Sequence, residues 1–173
     1  MSEVPRRLVL CVGNRDRGDD GVGRLVARLL RGRLPKDVLF AECDGGAMEV
    51  LDLIAGVDSA IVVDAAVSGM PAGTVHRVDC AAGEALPTAR VASSHGLGVA
   101  EAIALARTLG CLPRVCLIYA VDAKRVAPGD DLSLEVTHAA RDVAERVLLS
   151  LREARDQDRL DMSDRRMRGG YVS

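Results

Sequence analysis

Aromatic residues are scarce in this sequence, which has two Tyr, one Phe and no Trp among 173 residues. Proteins that bind single-stranded nucleic acid stack its bases on aromatic side chains, so this scarcity argues against such a function. An excess of basic charge is also missing, because the formal net charge is −2. A DNA-binding domain usually carries a basic patch that matches the phosphate backbone. We therefore expect no nucleic-acid partner.

Long apolar runs and paired cysteines are missing as well. No run of 18 apolar residues occurs, so we expect no membrane span. The first seven residues, MSEVPRR, lead directly into a strand-like run without the layout of a signal peptide, which predicts a cytoplasmic protein. The five cysteines are odd in number and form no CxxC pair, which argues against a disulfide framework or a thiolate zinc site.

Hydrophobic residues make up 49% of the chain, enough for a substantial core of Val, Leu, Ile and Ala. Short apolar runs alternate with segments whose apolar residues recur with helical spacing. The predicted strands are 7–12, 38–42, 58–64, 74–79 and 114–121. The predicted helices are 21–31, one within 43–56, 97–109 and 133–151.

This alternation is typical of an α/β fold, and we predict a three-layer α/β/α sandwich. Its five-stranded sheet should be mainly parallel, with one antiparallel strand at 74–79, because the link before that strand is too short for a crossover. The length suggests a single domain, which we assign to residues 1–151. Residues 152–173 carry six Arg against five acidic residues and few apolar ones, and we predict a disordered tail there.

Polar residues cluster where the predicted strands end. In an open α/β sheet, ligands bind in the crevice beyond the carboxyl ends of the strands. The candidate residues there are Asn14, Asp19, Asp20, Asp44, Gly45, Gly46, Asp64, His95 and Asp122. Carboxylates combined with an imidazole suit a divalent metal such as zinc or nickel, and the same groups are suited to general acid–base catalysis.

Each of the three strongest candidates also has a structural interpretation. Asp20 can cap a helix, Asp64 can begin a turn, and a single histidine such as His95 is often only a surface residue. Their joint placement at one sheet edge favours a functional role. The glycines of residues 13–23 do not form the GxGxxG pattern of dinucleotide binding, and no Walker lysine follows them.

Three motifs give the chain a family resemblance. They are GNRDRGDDGVG at residues 13–23, IVVDA at residues 61–65 and SHGLG at residues 94–98. In this order and spacing the sequence resembles the hydrogenase maturation endopeptidases, over residues 7–150. These enzymes remove the C-terminal peptide of the large-subunit precursor of a nickel–iron hydrogenase after nickel insertion.

The resemblance implies that Asp20, Asp64 and His95 are the catalytic residues and contact nickel. That nickel belongs to the hydrogenase precursor, so no permanent cofactor is expected. The loop Asp44-Gly45-Gly46 corresponds to a second glycine loop associated with substrate recognition, and we also predict that Asn14 and Asp19 bind substrate. Two alternatives remain open: a non-catalytic module that binds a metalloprotein during its assembly, and a hydrolase that carries its own zinc.

Overall fold

The computed structural model describes residues 6–87 and 98–168. Five strands form one sheet: β1 Arg7–Val12, β2 Val38–Cys43, β3 Ser59–Ala66, β4 Val75–Asp79 and β5 Val115–Asp122. Four α-helices accompany them: α1 Val22–Leu30, α2 Ala47–Ile54, α3 Val99–Thr108 and α4 Leu134–Arg168. A 3-10 turn, Gly18–Gly21, directly precedes α1.

The strands lie in the order β2-β1-β3-β5-β4. The first four are parallel, and β4 pairs antiparallel with β5 at one edge. The predicted α/β fold with one antiparallel strand is therefore confirmed. The chain changes direction across the sheet between β1 and β3, because β2 lies on one side of β1 and the later strands lie on the other. A crevice opens at such a point beyond the carboxyl ends of the strands.

Two hydrophobic cores cover the two faces of the sheet. Leu8, Leu10 and Val12 of β1 pack with α2 and α3 on one face. Val9 and Cys11 point to the opposite face and pack with α1 and α4. Because successive side chains of a strand alternate between faces, a strand covered on both sides must be apolar at every position, as β1 is between Leu8 and Val12.

Helix α4 is longer than predicted. The structure continues it to Arg168, whereas we expected an end near residue 151 followed by disorder. Residues 152–168 contain neither Gly nor Pro, so nothing in the backbone chemistry stops the helix there. The buried Arg7 also forms an ion pair with Asp158, which ties the extension to the start of β1. Among the described residues, no helix is long and apolar enough to cross a membrane.

Gly23 allows α1 to pack directly against β1. A Cβ atom at this position would lie 1.9 Å from the carbonyl oxygen of Val12. We predict that Gly23→Ala lowers the free energy of unfolding by about 3 kcal/mol or more, because helix and strand must separate to remove the clash. Gly46→Ala is the matched control, since a Cβ there meets nothing within 4 Å. Urea unfolding of the two variants would contradict this account if they lost equal stability.

Candidate active site

A cavity of about 410 Å³ opens beyond the carboxyl ends of β1, β2 and β3. Four carboxylate residues line it, and the remaining lining is largely glycine and apolar side chains. The carboxylates are Asp20, Asp44, Glu49 and Asp64. Asn14, Gly45 and Gly46 also line the cavity. Most of the residues predicted from the sequence at this sheet edge thus face one shared space.

The turn between β1 and α1 brings Asp20 to the cavity. Gly13 has a φ of +154° at the very end of β1, and a Cβ there would lie 2.2 Å from the carbonyl oxygen of Asp20. Only glycine therefore lets the chain return this closely on itself. The side chain of Asn14 accepts a hydrogen bond of 2.9 Å from the Asp16 N–H, which stabilises the turn in between.

Asp64 reaches the cavity from β3, and its protonation is unusual. Burial raises the pKa of Asp64 to about 7, and the negative charge of Asp20 contributes to this rise, against one hydrogen bond from the Ala65 N–H. Asp64 is half-buried, and its side chain lines the cavity. Asp20 and Asp64 line the same cavity, so the negative charge of one disfavours ionisation of the other.

The pKa of Asp20 is also shifted from its ordinary value. Burial raises its pKa, while the Arg17 guanidinium and a hydrogen bond from the Asn14 backbone act in the opposite direction. Arg17 lines the cavity too, and its Nε donates a 3.2 Å hydrogen bond to the carbonyl of Val126. Sequence analysis did not single out Arg17. Its position three residues before Asp20, within the glycine motif, was the available signal.

Asp19 has a different position from the one we predicted. It is fully buried, does not line the cavity, and accepts hydrogen bonds from three backbone N–H groups. The donors are Lys124 at 2.9 Å, Arg125 at 3.0 Å and Ser133 at 2.7 Å. The carboxylate thus ties the 3-10 turn to the segment that joins β5 to α4. This position corrects the prediction that Asp19 binds substrate, since its oxygens are already engaged inside the protein.

Burial by itself would raise the pKa of Asp19, but the backbone hydrogen bonds outweigh it and hold the pKa below its ordinary value. The pKa values of the adjacent residues Asp19 and Asp20 are therefore shifted in opposite directions, downward for Asp19 and upward for Asp20. Consecutive residues of a 3-10 turn point in different directions, which explains how one reaches the interior and the other the cavity.

Arg24 joins the two glycine loops. Its guanidinium donates hydrogen bonds to the Gly13 carbonyl at 2.8 Å, to Glu42 at 3.2 Å and to Asp44 at 2.6 Å. Gly45, with a φ of +100°, packs against Val12, because a Cβ there would lie 2.8 Å from the Val12 side chain. The loop Asp44-Gly45-Gly46 is therefore held beside the end of β1. Sequence analysis did not identify Arg24, whose role depends on contacts across the fold.

His95 lies outside the described residues. The residues on either side of that segment, Pro87 and Gly98, both line the cavity. Within residues 6–87 and 98–168, no group of three or more His, Cys, Asp or Glu side chains is placed to hold a metal ion. The predicted set of Asp20, Asp64 and His95 therefore stays a prediction.

Asp122 belongs to a different cluster, although its strand ends at the same sheet edge. It is buried, does not line the cavity, and contacts Ser68 and His76. His76 was not among the candidate residues identified from the sequence. Its Nε2 lies 2.5 Å from the Asp122 carboxylate, and its side chain is 23% exposed.

Comparison with known proteins identifies the family to which this fold and cavity belong. The sequence profile of the hydrogenase maturation proteases matches residues 24–150, a range that includes Asp64 and His95 and begins after Asp20. The hydrogenase 2 maturation protease of Escherichia coli is 32% identical over 152 residues, which cover 86% of this chain and 92% of that protein.

Further relatives agree with this match. The hydrogenase expression/formation protein HupD of Thiocapsa roseopersicina is 31% identical over 123 residues, or 70% of this chain, and the match spans 56% of that protein's length. The solved structure of the hydrogenase maturating endopeptidase HybD from Escherichia coli superposes with a TM-score of 0.72 at 30% identity, covering 86% of this chain and 93% of that one. The chain belongs to the hydrogenase maturation protease family, whose members are peptidases.

Proposed function

We propose that this chain is the endopeptidase that removes the C-terminal peptide from the large-subunit precursor of a nickel–iron hydrogenase after nickel has been inserted. The observation that carries the proposal is the pair Asp20 and Asp64, two carboxylates from separate motifs that line one cavity. Family membership supports the peptidase over the non-catalytic binding module, since the relatives are named as proteases and endopeptidases.

In this proposal the precursor's nickel enters the cavity and contacts Asp20, Asp64 and His95. Two carboxylates within electrostatic range of each other are a favourable site for a cation, because a positive charge removes their repulsion. Gly98 lines the cavity, and three peptide units connect it to His95.

The nickel would hold the scissile region of the precursor beside the carboxylates. Positioning of this kind accounts for a large part of the rate of many enzymes. A divalent ion can in addition polarise a carbonyl group or lower the pKa of a bound water. The apolar side of the cavity, which includes Val67, Val99 and Ile118, would exclude water from the bound segment.

The decisive experiment compares nickel-loaded with nickel-free large-subunit precursor. We expect cleavage of the loaded form only, because the free form lacks the ion that the carboxylates bind. Mass spectrometry of the products detects the released C-terminal peptide. The Asp20→Asn variant, prepared in the same way, excludes a contaminating protease. Equal cleavage of both precursors would contradict recognition through nickel, and cleavage of neither would contradict the proposed function.

A further inference from the structure

The end of β3 and the segment 67–74, which connects β3 to β4, contribute one wall of the cavity. Asp64 is followed in the chain by Ala65, Ala66 and Val67, and all three line the cavity. The next residue, Ser68, does not line the cavity and is hydrogen-bonded to the buried Asp122. The position of this wall relative to Asp64 therefore depends on what holds Ser68.

Asp122 forms hydrogen bonds near both ends of the connection, to Ser68 at one end and to Gly73 at the other. It is the last residue of β5 and is only 1% exposed. One carboxylate oxygen accepts the Ser68 N–H at 2.7 Å, and the other accepts the Ser68 hydroxyl at 2.8 Å and contacts His76 Nε2 at 2.5 Å. The backbone carbonyl of Asp122 accepts the N–H of Gly73 at 2.8 Å. Both carboxylate oxygens are thus used inside the fold.

The same three residue types form the catalytic triad of serine hydrolases, but this geometry does not. In a triad, the serine hydroxyl gives its proton to the histidine, which is oriented by the carboxylate through its other nitrogen. Here Ser68 Oγ and His76 Nε2 both contact the same oxygen of Asp122, and they lie 3.4 Å from each other. The Ser68 hydroxyl donates to the carboxylate, so His76 does not accept its proton as the histidine of a triad would.

We propose that Asp122 is a positioning residue, which binds Ser68 and thereby fixes Val67 in the wall of the cavity that Asp64 also lines. A surface connection of this length is ordinarily mobile, and substrate binding would have to order it. Two hydrogen bonds from Ser68 to a buried carboxylate order it in advance, which reduces the entropic cost of binding. This role rests on the proposed function, since it acts on the substrate of the same cavity.

The test is the Ser68→Ala variant, which removes the hydroxyl but leaves the backbone N–H and every cavity carboxylate in place. We expect KM for the nickel-loaded precursor to rise about tenfold, the equivalent of the lower end of the range for a hydrogen bond to a charged group, with kcat within about twofold of the parent. Ser68→Thr restores the hydroxyl and should return KM toward the parental value. Amide hydrogen exchange on the free protein should be faster at Val67 and Ser68 in the alanine variant.

Thr74→Ala is the matched control, because its hydroxyl donates a 2.7 Å hydrogen bond to Pro71 within the same connection without involving the cavity. Its KM should equal that of the parent. An unchanged KM in Ser68→Ala, or an equal rise in both variants, would overturn the positioning role while the parent still cleaves. Failure of the parent to cleave the loaded precursor would overturn the proposed function and this role with it.

Discussion

Replacement of Asp64 by Asn is expected to lower kcat/KM for the nickel-loaded precursor at least about 100-fold, the range in which loss of a reacting carboxylate falls. The substitution keeps the size of the side chain, and the Asn amide oxygen can still accept the Ala65 N–H bonded at 2.8 Å in the parent. It removes the charge that would meet the nickel. Steady-state cleavage followed by mass spectrometry measures the loss.

The same variant should also show that the ionised form of Asp64 destabilises the folded protein. Its folded-state pKa of about 7 lies above the ordinary value, so the folded protein holds the proton more tightly than the unfolded chain. Stability is therefore lost as the pH rises from about 4 to 7, by an amount on the order of a few kcal/mol. The amide side chain that replaces Asp64 does not titrate. Urea unfolding at pH 8 should therefore find Asp64→Asn more stable than the parent, and the difference should shrink at pH 4.

Asp52→Asn is the control for both measurements. Asp52 is an exposed carboxylate on α2 that does not line the cavity. Its kcat/KM should stay within about twofold of the parent, because surface substitutions away from special features have small effects. Full activity in Asp64→Asn would refute the assignment of Asp64 to the site. A stability difference between Asp64→Asn and the parent that was the same at pH 4 and pH 8 would refute the raised pKa of Asp64.

The second large effect is on stability and concerns Asp19. Asp19→Ala is expected to lower the free energy of unfolding by about 3 kcal/mol or more, because three backbone N–H groups lose their acceptor inside the protein. The donors belong to Lys124, Arg125 and Ser133, so the loss should release the segment between β5 and α4. Urea unfolding at neutral pH measures the change.

The pH dependence of this effect has the opposite sign to that of Asp64. Hydrogen bonds hold the pKa of Asp19 below its ordinary value, so its contribution is present above that value and is lost as the pH falls through the folded-state pKa. Asp20→Asn is the matched neighbour. It should change stability by less than about 1 kcal/mol while suppressing cleavage. Equal destabilisation by the two variants would contradict the separation of their roles.

Much of the fold was predictable because it depends on local patterns. The apolar run of β3 and the helical spacing of α1 appear directly in the residues, and alternation of such elements leaves few topologies. The end of α4 was not predicted. Composition suggested disorder after residue 151, whereas the long-range contact of Asp158 with Arg7 and the lack of a helix breaker favour a longer helix.

The site was predictable only in part. Asp20 and Asp64 were identified because carboxylates at strand ends of a parallel sheet converge, which is a property of the fold class. Arg24 and Ser68 were not identified, because each acts through a partner far away in the chain: Arg24 through Glu42 and Ser68 through Asp122. The sequence around Arg24 or Ser68 contains no pattern that predicts these contacts.

The sequence alone determined which segments become strands and helices and which motifs meet at the sheet edge, because spacing and side-chain chemistry act locally. Only the tertiary structure showed that Asp19 is buried in the interior while Asp20 lines the cavity. The two are identical neighbours in the chain, and no property of their own distinguishes them. The difference arises because backbone N–H groups more than 100 residues away, at Lys124 and Ser133, surround one carboxylate and leave the other facing the cavity.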